Sequence, residues 1–170
     1  MKNTILSLAV SSLLLVISGL PIVAQDAVGS HLLKIVIPVD LKEAKVVFNM
    51  DHPAFVGDAS IGLTYMKLMT QNFDRSKTKY TIKAVFHGAM GYMLLNDAAY
   101  NKARKSDKGN PFKDAIADLQ KSGIELEECG QTARNNNWTN ADLLPSVKVN
   151  AGANLRITQL VQDGYVQLQP

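Results

Sequence analysis

Residues 110–132 read Asn-Pro-Phe-Lys-Asp-Ala-Ile-Ala-Asp-Leu-Gln-Lys-Ser-Gly-Ile-Glu-Leu-Glu-Glu-Cys-Gly-Gln-Thr, and this run decides the fold class. Asn110 is a helix-capping type, Pro111 has the torsion suited to a first turn, and Gly123 supplies a left-handed stop. Phe112, Ala115, Ile116 and Leu119 recur at helical spacing and predict the buried stripe of that helix. Ile124 to Cys129 then alternate as a strand and end in a Gly-Gln-Thr turn. A helix that delivers its chain directly into a strand is the unit from which parallel sheets are built.

The same alternation extends in both directions. Towards the N-terminus, Lys45 to Met50 form a short buried-strand pattern, and Asp58 can cap a helix with Ile61, Tyr65, Leu68 and Met69 on one stripe. Tyr80 to Phe86 is β-rich and ends at His87-Gly88; Gly91 to Tyr100 reads as a helix with Tyr92, Leu95 and Ala99 on one side. Towards the C-terminus come a short helix over Thr139 to Leu144, a strand at Val147 to Val149, and a helix with Ala153, Ile157, Leu160 and Val161 on one face. Gly164 stops that helix before a last strand, Tyr165 to Leu168. Five strands separated by helices predict an α/β fold with a mainly parallel five-stranded sheet between helical layers. Glu125 and Glu127 fall on one face of their strand, where a doubly covered strand would be apolar, so this strand is expected at a sheet edge or against another subunit. The basic stretch Asn101 to Asn110 reads as a solvated loop, with docking of an anionic partner as its alternative use.

The N-terminus carries an export pattern. Met1-Lys2 gives a positive start, Ile5 to Leu20 is almost wholly apolar, and Pro21-Ile22-Val23-Ala24 presents a small residue before Gln25. The apolar stretch is short for a spanning helix, so cleavage after Ala24 and a periplasmic location are expected, without stable membrane insertion. The chain thus divides into a signal peptide (1–24), an arm (25–43) in which Pro38 interrupts an apolar run, and one domain (44–170). Removing residues 1–24 takes one Lys and no acid, leaving a net charge of +2, too balanced to argue for nucleic acid. With 6% aromatic residues, the core must rest on aliphatics and Met.

In a parallel sheet the carboxyl ends of the strands share one rim, where α/β proteins place their sites. That rim gathers Asn49, Asp51 and His52, then His87-Gly88, then Cys129-Gly130-Gln131-Thr132, then Asn150 to Gly152. Cys129 is the only cysteine, so it can form no internal disulfide. Two chemistries suit a rim with one Cys and two His. The first is a thiolate activated by a neighbouring imidazolium, with Cys129 and His87 reacting and His52, Asn49, Gly88 and Thr132 binding. The second is a non-catalytic Cys-His-His rim holding a metal or small ligand. His31, in the arm, is assigned no role. The Gly88-Ala89-Met90-Gly91 turn lacks the Lys and Ser/Thr of a phosphate loop, and no cofactor is expected.

Gly123 to Cys129 after an amphipathic helix, the tail Leu143-Leu144-Pro145-Ser146-Val147 through Gly152, Leu160 to Tyr165, and the strand-end His87-Gly88 together resemble the DsrE/DsrF-like (YchN-like) family of sulfur-relay proteins. The likeness spans residues 44–170. It implies a three-layer α/β/α sandwich that assembles into homo-oligomers, trimers or hexamers. It also implies a persulfide carried on the cysteine at the position of Cys129, with a sulfur donor or acceptor protein as partner. Well-understood carriers of this family are cytosolic, so an exported member needs a different partner.

Overall fold

The computed structural model describes residues 35–170, and the expected signal peptide and most of the expected arm lie outside them. No described helix is long and apolar enough to cross a membrane. The sheet is organised by the two-residue alternation of its strands. In β1 (Glu43–Met50) Val46, Phe48 and Met50 face one helical layer while Val47 faces the other. In β4 (Lys79–Phe86) Ile82, Ala84 and Phe86 continue the first set and Val85 the second. β5 (Glu125–Cys129) contributes Leu126 to the first and Cys129 to the second.

The sheet has five strands in the order β6-β5-β4-β1-β7, with β6 spanning Lys148–Asn150 and β7 Val166–Leu168. Every neighbouring pair is parallel. Helices α1 (Ile61–Ser76) and α3 (Lys113–Lys121) cover one face and α5 (Ala153–Gln162) the other, giving the α/β/α layers. Between β1 and α1 lies a small hairpin that sequence periodicity did not signal, β2 (Phe55–Val56) with β3 (Ala59–Ser60).

Helix boundaries differ from expectation in two places. Ser60, not Asp58, occupies the N-cap of α1, and the buried face is Leu63, Met66, Thr70 and Phe73. Tyr65 and Leu68 stand half exposed beside an apolar groove, because the helix turns its threonine rather than its tyrosine inward. The expected helix over Gly91 to Tyr100 is two pieces. A 3₁₀ segment (Gly88–Leu94) stops at Leu95, and α2 (Asp97–Arg104) starts afresh on Asn96, whose side chain accepts from Ala99 N–H. The basic stretch after Asn101 is therefore partly helical and tied down, with Gly109 N–H donating to Asn101 and Asn110 N–H to Asp97.

Asn110 does more than begin α3. Buried to 2% exposure, its amide donates to the carbonyls of Met93 and Leu95 while its oxygen accepts from Phe112 N–H, joining α3 to the 3₁₀ segment.

The edge position expected for the Glu125/Glu127 strand does not hold. β5 lies inside the sheet, and its acids are neutralised within the chain. Lys83 on β4 and Lys148 on β6 both clasp Glu125. Arg156 on α5 grips Glu127 through Nε and Nη2, at 2.8 to 3.0 Å. Glu127 is only 3% exposed at its side chain, so this is a buried ion pair that satisfies its own charge.

Candidate functional site

β5 ends on Cys129 and the chain turns at once into α4 (Gly130–Asn135). The turn requires glycine: a Cβ on Gly130 would lie 2.6 Å from the Asn150 carbonyl oxygen of adjacent β6. α5 then begins at Ala153, three residues after β6 ends. The first turns of α4 and α5 thereby meet at the Cys129 sulfur, each bringing backbone N–H groups that have no helical partner of their own.

The sulfur accepts a hydrogen bond from Ala153 N–H at 3.3 Å. Burial pushes the Cys129 thiol up. The N–H groups of Thr132 and Ala153, the Thr132 hydroxyl and the Gln131 N–H outweigh it and hold the thiol below its ordinary value. The α4 groups face the sulfur without closing a formed cap hydrogen bond. Its place at the strand-end rim does not leave the thiol open: Cys129 is 4% exposed and packs with Val47, Val85, Ile157 and Leu160. It forms the floor of a cleft of about 300 Å³ walled by His87, Gly88, Gln131, Thr132 and Leu155.

His87 reaches this cleft but not as the expected imidazolium. Burial lowers its pKa, against a smaller opposing pull from Asp51, so the ring is neutral at pH 7. Its Nε2 is 2.7 Å from Asn49 Oδ1, which fixes the ring and accounts for Asn49 as a residue one step removed from the sulfur. Thr132 is the physical link between strands: its hydroxyl oxygen accepts from Gly88 N–H at 3.0 Å while the side chain also serves the thiol. Gly88 itself adopts φ +55°. His52 is not among the residues lining the cleft; it pairs with Asp51 and lies 3.3 Å from Gln169. Among the described residues no three His, Cys, Asp or Glu side chains come together as metal ligands, so the Cys-His-His rim does not assemble.

Glu128, which would oppose a thiolate if it faced the sulfur, does not face it. Alternation points it to the opposite face from Cys129, where it is fully buried, with neither carboxylate oxygen partnered. It wedges against Gly91: a Cβ there would be 2.6 Å from Glu128 Oε1, and 2.9 Å from the Thr132 methyl carbon. Burial, with a smaller contribution from the neighbouring Cys129 charge, raises its pKa to about 9. Glu128 is thus a neutral acid at pH 7 and does not oppose a thiolate next door.

The model of the DsrE/DsrF-like family matches residues 44–170, all of the sheet except the first residue of β1. The chain belongs to the DsrE/DsrF-like family. No curated protein matches it. Among solved structures, this DsrE/DsrF-like chain is similar to MTH1491, a protein of unknown function from Methanobacterium thermoautotrophicum. They share 18% identity and a TM-score of 0.54 over 75% of this chain and 99% of that one. The ychN protein from E. coli aligns with the same coverage and TM-score at 11% identity. At such identities the likeness establishes the fold. For a DsrE/DsrF-like chain the strand-end cysteine was legible from residue type and position. The Ala153 N–H and the neutral Glu128 were not, because neither is distinguished by its side chain or by any local pattern.

Proposed function

We propose that this DsrE/DsrF-like protein is an exported persulfide carrier, or sulfurtransferase-like protein, acting through Cys129. The observation that carries the reading is the convergence of two helix starts on a single sulfur, which favours a thiolate despite burial. A thiolate is the attacking species in sulfur exchange. Cys129-S⁻ attacks the outer sulfur of a donor persulfide R-S-SH. The new Cys129 S–S bond forms as the donor S–S bond breaks, R-S⁻ departs with the bonding pair, and the proton stays on the transferred sulfur. Once the transferred sulfur releases that proton to solvent, the same backbone N–H groups that hold the thiolate hold the persulfide anion. His87, neutral and fixed by Asn49, shapes the cleft and can donate or accept a hydrogen bond.

Export after cleavage at Ala24 and homo-oligomeric assembly belong to the same proposal. The first is supported by the N-terminal sequence pattern. The second is supported by two open sheet edges, β6 and β7, and by the exposed Leu155, Val161 and Val166 near them. Intact mass spectrometry of protein isolated from its native compartment tests the function. A reductant-removable adduct of about 32 Da on Cys129 is the expected result. A thiol that stays unmodified after exposure to a persulfide donor, and resists alkylation until the protein unfolds, refutes the reading.

A further inference from the structure

We infer that a second pocket, beside the Cys129 cleft, binds the anionic group of a small sulfur compound that exchanges sulfur with this protein. The pocket has a volume of about 470 Å³ and is walled by Tyr92, Lys102, Arg104, Asn137, Trp138 and Asp142. Gly88 lines both this pocket and the cleft, so the two adjoin at one residue.

Two observations give the pocket its ligand chemistry. First, Lys102 and Arg104 stand on the wall of one pocket, and neither has a carboxylate within salt-bridge distance among the described residues. The one acid on the wall, Asp142, spends Oδ2 on the N–H and hydroxyl of Thr139, and two cations face its single charge. Second, the guanidinium carbon of Arg104 lies over the Tyr92 ring, 4.3 Å from its centroid, and that ring packs on Tyr100 and Phe112. A guanidinium held against an aromatic ring loses less freedom on binding, and its N–H groups suit a paired-oxygen anion. Cations, amides and an aromatic side chain around a pocket of this size suit a small anion rather than a macromolecule. Identifying that anion as a sulfur compound rests on the persulfide reading; the existence of the site does not.

Trp138 is the only tryptophan, so its fluorescence reports on the pocket directly. The intact protein is titrated at matched ionic strength with thiosulfate, a sulfur oxyanion, and separately with glutathione, a carboxylate-bearing thiol. A saturable change with either supports the site, and the responding probe names the source of the anionic group. Arg104→Ala should weaken binding about tenfold or more, and Lys102→Gln, an exposed position that leaves the fold intact, by at least severalfold. Cys129→Ser should bind unchanged. No saturable change with either probe, or binding indifferent to both cation variants, overturns the inference. The two readings fail separately. Silence at Trp138 with normal sulfur loading of Cys129 removes the pocket alone, while binding without any loading removes the persulfide reading and leaves an anion site.

Discussion

At Cys129 one atom is governed by groups contributed from two helices. Replacing it with serine should abolish sulfur loading and cost about 1–2 kcal/mol, because a hydroxyl then occupies a largely apolar site, although Ala153 N–H still finds an acceptor. Alkylation of wild-type protein followed against pH should give a midpoint below that of a free thiol; a midpoint above it would show that burial prevails. His87→Ala should leave that midpoint nearly unchanged, since the ring is neutral and the stabilising groups are backbone. Glu128 has a separate signature. The folded protein keeps its proton up to about pH 9, while the unfolded chain releases it near the ordinary carboxyl value. Unfolding in that window releases a proton, so stability falls as pH rises from about 5 to 9. Glu128→Gln should flatten this slope in thermal melts and be the more stable protein at pH 8; identical slopes would mean that the carboxyl is hydrated. Gly130→Ala should destabilise by about 1–3 kcal/mol, because its Cβ has to displace the Asn150 carbonyl at 2.6 Å.

Elements are joined here by charge as well as by apolar packing. α5 covers Val47 and Val85 with Ala153, Ile157 and Leu160, and Arg156 anchors it to Glu127. Arg156→Ala strands a nearly buried carboxylate and should cost about 3–5 kcal/mol, whereas Glu127→Leu combined with Arg156→Met should recover most of the loss. Urea denaturation of the two variants and wild type measures this. An equal loss in both would locate the energy in the pair itself rather than in the unpaired charge. The strand carrying these acids was recognisable from its alternation. Its position inside the sheet was not, since a row of glutamates reads as an edge until Lys83, Lys148 and Arg156 are brought opposite it. α1 shows the converse: its helical period was legible, but which stripe faces inward depended on how Leu63, Met66 and Phe73 met β1 and β4.

For the whole molecule, β7 pairs with β1 at the sheet edge and α5 closes the face that holds Cys129. Truncation after Gly152 removes both, exposing Val47 and Val85 and taking away the Ala153 N–H. Cooperative melting should be lost, and a truncated chain that melts like the full one would show the last β-α-β unit to be dispensable. The succession of strands and helices, the parallel class of the sheet, the family likeness and the strand-end place of the cysteine are all legible in the chain. Each of these rests on periodicity and punctuation read over neighbouring residues. Folding alone recesses Cys129, holds a neutral His87 against Asn49, buries the Glu128 acid and pairs Glu127. Those properties arise from contacts such as Cys129 with Ala153 and Glu127 with Arg156, 24 and 29 residues apart in the chain. Hydrogen bonding and desolvation act over a few ångströms in space, and no local period encodes which distant residue will supply them.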